Sequence, residues 1–149
     1  MANGLHNQIA PALAAQALAV VGGTAVVSTM RETFPGPAST VGGFPFTIIG
    51  PPKGRQVPAS SETVLTARFP MRVYVAKVSS GLRAQFDINE WVDAFRAAWV
   101  TGCTLGSLVT FSWIESWDTD RWYTIGGEDY QAIDFVAGIE TEIHETYTP

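Results

Sequence analysis

Two spacings of apolar residues divide this chain into helices and strands. The clearest helical spacing follows Asp87, where apolar side chains recur every three or four residues up to Gly102. Asp87 has the N-cap position, Glu90 completes a capping box, and Phe86 and Trp91 are placed to form a hydrophobic staple. The predicted buried stripe of this helix consists of Ile88, Trp91, Val92, Phe95, Ala98 and Trp99.

A second helix is predicted near the N-terminus. The apolar run from Ile9 to Val27 has no Lys or Arg before it and is rich in Ala and Gly, which argues against a signal peptide or membrane span. We predict a helix that begins between Asn7 and Ala10, holds Pro11 in its first turn and ends at Gly22-Gly23. Its buried face is expected to hold Ile9, Leu13, Ala17 and Val20.

Four segments are typical of β-strands. Residues 44–50 are short and bounded by prolines, which favours a strand near an edge. Residues 63–78 alternate with period two and predict a long strand with a bulge or an edge position at Pro70. Residues 107–116 and 131–147 alternate as well, with Val109, Phe111 and Trp113 expected to face inward in the first of these.

The segments between these elements are predicted to be loops. Residues 24–30 favour a minor strand or an extended connector, and residues 33–43 a loop. Residues 51–62 hold prolines, a glycine and serines with almost nothing to bury, so they predict a long exposed loop. Residues 114–131 predict a projecting hairpin region, in which Trp117 and Trp122 pair across the arms and the Gly-Gly pair makes a bend or a second turn.

Together these elements predict one domain over residues 1–149. Its expected fold class is α+β, a mostly antiparallel sheet of about four strands with helices packed on it. A net charge of −5 argues against tight, nonspecific binding of nucleic acid, since such binding needs clustered Lys and Arg. The single cysteine, Cys103, excludes an internal disulfide and is interpreted as a small buried residue.

The stretch from Trp113 to Tyr130 is the strongest candidate for a chemical site. Its carboxylates and tryptophans suggest a metal loop, a glycosidase site or a sugar-binding platform. An EF-hand would need further oxygen ligands and a terminal Glu at fixed offsets, and none of these carboxylates has an evident apolar setting that would raise its pKa. No nucleotide-binding motif is present, and neither histidine has a metal-ligand spacing. We therefore predict an interaction protein without catalytic activity or cofactor.

The order of these elements resembles that of the tail terminator, or tail completion, proteins of long-tailed bacteriophages. The resemblance is carried by the segments "FPFTIIGPP", "VLTARFPMRVYVA", "DINEWVDAFRAAW" and "YQAIDFVAGIETEIHE". It implies a ring-forming subunit, usually of a hexamer, that caps the tail tube and ends tail elongation. The implied partners are further copies of the chain, the major tail tube protein and the head–tail connector or neck protein.

The same resemblance implies a location at the head-proximal end of the virion tail, after assembly in the host cytoplasm. Genomic DNA would pass through the ring without specific binding, and no membrane would be involved. Two alternatives stay open, a head-completion or neck protein of the same virion and a carbohydrate-binding or hydrolytic domain. Residues proposed for assembly interfaces are Lys53, Arg55, Gln56, Arg68, Arg72, Trp117, Asp118, Asp120, Arg121, Glu128 and Asp129.

Overall fold

Two helices and six strands make up the part of the chain that the computed structural model describes, residues 5–23, 28–37, 43–58, 62–77 and 87–144. The helices are α1 (Leu5–Leu18) and α2 (Ile88–Thr101). The strands are β1 (Glu32–Phe34), β2 (Phe46–Ile49), β3 (Lys53–Pro58), β4 (Glu62–Lys77), β5 (Phe111–Ile125) and β6 (Glu128–His144).

The strands form one mixed sheet in the order β1-β2-β4-β6-β5. β1 pairs with β2 in parallel, and every other described pair is antiparallel. β2 and β3 share one side of β4, with β3 opposite residues 63–68 and β2 opposite residues 71–74. Pro70 lies in the gap between them, where its carbonyl accepts a hydrogen bond from Gly50 N–H at 2.7 Å. The N–H that proline lacks would have pointed into this gap, so Pro70 interrupts no hydrogen-bonded ladder.

Both helices pack on one face of the sheet, here called the helix-covered face. Their buried side chains join those of β4 and β6 in a single core, in which Phe95 stacks on Phe135 with ring centroids 4.4 Å apart. The largest wholly buried side chains are Trp91, Trp99, Phe69, Phe95, Phe135, Ile9 and Leu13. No described helix packs on the opposite face, here called the outer face.

The predicted fold class is wrong. The protein is mostly β, and its sheet is mixed and larger than the four strands expected. Two strands were missed for different reasons. β1 has only three residues, too few to show a period, and β3 has six residues that are all exposed, so no apolar side of it can be recognised.

The predicted loop over residues 51–62 is thus replaced in part by β3. Its backbone pairs with β4 from Lys53 opposite Arg68 to Pro58 opposite Thr63. The expected exposure of this segment is correct, but on one side its backbone pairs with β4.

α2 confirms its predicted boundaries. The Asp87 carboxylate accepts the Glu90 N–H at 3.1 Å, and Gly102 N–H closes the C-terminus on the Ala98 carbonyl at 2.8 Å. The buried positions of α2 are Trp91, Val92, Phe95 and Trp99. Phe86, the other half of the predicted staple, lies outside the described residues.

α1 confirms its buried face but not its ends. It includes Leu5 and His6, so Pro11 lies inside the helix rather than in its first turn. Packing explains this extension, because Leu5 contacts the core and the His6 ring lies 6.1 Å from the Phe69 ring. The helix ends at Leu18, before the glycine pair that was expected to end it.

Candidate functional site

The outer face carries most of the charged and aromatic side chains that have no role in the main core. Residues directly opposite one another on neighbouring strands lie on the same face of a sheet, and each such set is here called a row. One row contains Lys53, Arg68, Gly138 and Trp113, in that order from β3 to β5. The next contains Arg55, Thr66, Glu140 and Phe111.

A small aromatic cluster occupies the end of the outer face that lies nearest β1 and β2. Phe46 stacks on Tyr74 with centroids 4.8 Å apart, and Phe44 stacks on Tyr130 at 5.7 Å. Phe46, Tyr74 and Ala132 are buried there without help from either helix. The cluster therefore forms a second, smaller core on the outer face, next to charged side chains.

Asp134 on β6 is the centre of the polar network beside that cluster. Its carboxylate accepts from Arg72 Nε at 2.9 Å and lies 3.3 Å from Arg121 Nε, and Tyr123 O–H also donates to it. The Arg72 guanidinium lies 3.6 Å from the centroid of the Tyr123 ring. One carboxylate thus holds two cations from two different strands, β4 and β5.

The charge of Arg72 is stabilised by this network. Partial burial alone would lower the pKa of Arg72, but hydrogen bonds to Tyr74 and Asp134 and the charge of Asp134 raise it above its usual value. Because the folded state favours the charged form, this contribution to stability is fully present below the usual pKa of arginine. It is lost only as the pH rises through the raised pKa.

The other end of the outer face, at the level of β3 along the strands, combines aromatic and charged groups. Trp113 covers Gly138 so closely that a Cβ there would lie 2.3 Å from the indole, and Phe111 stacks on Trp113 at 5.6 Å. Arg68 donates to both oxygens of Glu115, at 2.9 and 2.7 Å. This pair bridges β4 and β5 across β6.

These contacts correct the predicted orientation of β5. Phe111 and Trp113 lie on the outer face, whereas Ser112 and Ile114 face the core. Both faces of this segment carry large or apolar residues, so alternation alone identifies a strand but not its inner side.

The sequence-predicted interface residues are divided between several places. Arg68, Arg72, Asp118 and Arg121 lie together on the outer face, where Asp118 is 3.8 Å from Arg121. Trp117 lies on the helix-covered face, with the Arg96 guanidinium 5.3 Å from its ring. Asp120 lies within β5, and its side chain is outside the described part of the structure.

The remaining predicted residues lie at two margins of the sheet. Lys53, Arg55 and Gln56 are exposed on β3, with Gln56 on the face opposite to the other two. Glu128 and Asp129 lie beside the turn that joins β5 to β6, and Thr124 donates to Asp129 at 2.5 Å.

The predicted hairpin over residues 114–131 is formed by two long strands, β5 and β6, whose pairing shifts register twice. β5 and β6 pair down to Ile125 opposite Glu128, and Gly126 and Gly127 form a two-residue turn with φ of 61° and 81°. Trp117 and Trp122 do not pair across its arms, because both are on β5. Trp113 and Trp117 lie on opposite faces, whereas Trp117 and Trp122, opposite Phe135 and Gln131 of β6, share one face and are both exposed.

Sequence reasoning missed the residues that connect the network, above all Asp134, Tyr123 and Glu115. The polar side of β6 was visible in its alternation, which placed Asp134 and Glu140 on one face. The partners of these residues depend on strand register, and two bulges in β5 shift that register between Ile114 and Ser116 and between Asp118 and Arg121.

Ligand-binding features are few in the described residues. Within these ranges no three His, Cys, Asp or Glu side chains are grouped so as to hold a metal ion. Cys103 is half-buried in the turn after α2. A cleft of about 390 Å³ beside Arg72 and Asp134 is walled by Ile48, Pro51, Pro70, Tyr74 and Val136. Neither described helix is long and apolar enough to cross a bilayer.

No protein-family model matches the chain, and a search of curated proteins finds no match either.

Proposed function

We propose that this chain is a structural virion protein, the tail terminator of a long-tailed bacteriophage. Copies of it form a ring, in our proposal a hexamer, that caps the tail tube and ends its elongation. The ring offers a docking surface to the head–tail connector, and the genome passes through its lumen. The site of action is the head-proximal end of the tail, after assembly in the host cytoplasm.

The observation that carries this proposal is the asymmetry of the open sheet. One face is covered by both helices, the other face has none of the described helices on it, and the two edges of the sheet carry different side chains. A ring needs two different surfaces on each subunit, because a head-to-tail contact joins unlike patches. A sheet with unlike edges meets this requirement, and the element order supplies the resemblance to the family.

The charge of the chain supports the role of a conduit. A net charge of −5 disfavours tight binding of the phosphate backbone, so DNA is expected to move past the protein rather than adhere to it.

The test is electron microscopy of purified tails and of the isolated protein mixed with tail tubes. We expect rings at one end of each tube, and antibody or gold labelling of the chain at the head-proximal end of tails. A chain that neither forms rings nor localises to that end would refute the proposal. Localisation to the portal or adaptor instead of the tube would identify a head-completion protein.

A further inference from the structure

We propose that neighbouring copies of this chain dock through the β3 margin of one subunit and the β5 margin of the next. The first surface, the basic rim, is Lys53 and Arg55 with Val57. The second, the acidic-aromatic rim, is Phe111 and Trp113 on β5 with Glu140 and Glu142 on the adjacent strand β6. This inference rests on the proposed function for its setting, since it states how the ring subunits meet.

The basic rim is exposed and has no ion-pair partner among the described residues. Lys53 and Arg55 lie on the outer face of β3, directly opposite Arg68 and Thr66 on β4. Arg68 is already paired with Glu115, so that carboxylate does not balance the positive charge of the neighbouring Lys53. Val57, on the same face, leaves 58% of its surface exposed. The rim therefore combines two available cations with one apolar side chain.

The acidic-aromatic rim offers the complementary chemistry. Phe111 is 47% exposed and stacks on Trp113. Glu140 and Glu142 are exposed beside these rings, and within the described ranges neither carboxylate forms an ion pair. Aromatic faces attract Lys and Arg, and carboxylates at the ring edge strengthen that attraction.

The two rims lie at the same level of the sheet. Lys53 and Trp113 are the two ends of one row, and Arg55 and Phe111 are the two ends of the next. A second copy placed beside the first in the same orientation thus brings its Lys53 to Trp113 and its Arg55 to Phe111. Its β3 then runs antiparallel to the β5 of the first copy, which continues the alternation of the sheet.

Side chains, rather than a shared strand ladder, must make this contact. Ser112 N–H, which points away from β6, already donates to the Cys103 carbonyl at 2.6 Å, and a bulge follows Ile114. The edge of β5 is therefore closed to regular strand addition at this level. The long side chains of Lys53 and Arg55 can reach the rings across that closed edge.

A second copy is the occupant that the charges favour. The cations of the basic rim lie on β3 and the carboxylates on β6, with β4 between them, whereas Arg68–Glu115 and Arg72–Asp134 are paired within the subunit. These carboxylates lie one strand in from the β5 edge, so the long cationic side chains of a neighbour's β3 can approach them beside the Phe111 and Trp113 rings in a head-to-tail ring.

Charge reversal tests this pairing. Lys53→Glu with Arg55→Glu, and separately Glu140→Lys with Glu142→Lys, should each weaken self-association by at least about tenfold, because like charges then meet. An equal mixture of the two variants should assemble again, since each reversed rim meets a complementary rim on its neighbour. Arg31→Glu and Asp93→Lys, exposed charges outside both rims, are the controls and should assemble normally.

Cross-linking tests the register. In a Cys103→Ser background, Arg55→Cys with Phe111→Cys should give a ladder of covalent oligomers with a short bismaleimide. Within one subunit these positions are three strand spacings apart, roughly 14 Å, so a short reagent joins neighbours. Arg55→Cys with Trp122→Cys, at the far end of β5, is the control and should give little product.

The outcomes separate this inference from the proposed function. Rings on tail tubes without the ladder, or reversed variants that do not assemble when mixed, would overturn the rim pairing and leave the tail-terminator proposal standing. The ladder and the mixing rescue in a protein absent from the ends of tails would support the pairing and refute the tail role. A native chain that remains monomeric both alone and on tubes would overturn both.

Discussion

Asp134 is the residue on which the charges of the outer face converge. Asp134→Asn removes the counterion of Arg72 and Arg121 but keeps the size of the side chain. We expect a loss of about 1 kcal/mol in the free energy of unfolding, since all three groups are partly exposed and water screens them. Urea denaturation measures it, and Asp93→Asn, whose carboxylate is 79% exposed and lies 3.9 Å from Arg96, should change stability by much less. Equal losses of stability in the two variants would show that the Asp134 network stabilises the fold no more than an isolated ion pair does.

Gly138 is required by the ring that lies over it. A Cβ at this position would lie within 2.4 Å of two atoms of the Trp113 indole, so Gly138→Ala must displace that ring. We expect a loss of about 1 kcal/mol and a red shift of tryptophan emission. Gly36→Ala is the control, since a Cβ there meets nothing within 4 Å. An unchanged emission spectrum in Gly138→Ala would contradict the close contact.

At the scale of single residues, local chemistry was predictable and partners were not. The N-cap of Asp87 depends on residues three positions apart, which the sequence displays directly. The ion pair of Arg72 with Asp134 joins residues 62 positions apart, and it exists because β4 and β6 pair in one register. Alternation placed Arg72 on the polar face of β4 and Asp134 on the polar face of β6, but it did not show that these two residues lie opposite each other.

The element with the clearest energetic role is α2. Phe95→Ala removes a wholly buried ring that stacks on Phe135 and Trp99, and we expect it to cost roughly 3 to 5 kcal/mol in stability. Thermal and urea unfolding both measure this loss. Val100→Ala on the same helix is the control, because Val100 is 78% exposed and should change stability little. A mild effect of Phe95→Ala would contradict its place in the core.

β3 shows how an element can be invisible to periodicity. A strand is recognised by one apolar side, yet all six residues of β3 are exposed, and its strand character comes from its pairing with β4. A deletion through this segment would uncover the edge of β4 over residues 63–68 and disturb folding as well as assembly. Surface substitutions in the basic rim are therefore the sharper test of its role.

For the whole molecule, the separation of charge between the two rims predicts salt-sensitive assembly. Raising the ionic strength from about 0.05 to 0.5 M shortens the range of electrostatic attraction several-fold, so self-association should weaken markedly. Mass photometry or light scattering measures the association, while urea unfolding of the same samples should show little change. Assembly that is insensitive to salt would indicate an interface dominated by apolar contacts instead.

The sequence by itself determined which segments bury apolar residues, where α2 begins and ends, and which faces of β4 and β6 are polar. These features depend on side-chain periodicity and capping, which act over a few residues. Only the tertiary structure decided the size of the sheet, the inner side of β5, the inclusion of β3 and the charge separation across the outer face. Each of these depends on register between segments far apart in the chain, and backbone pairing, bulges and helix packing set that register together.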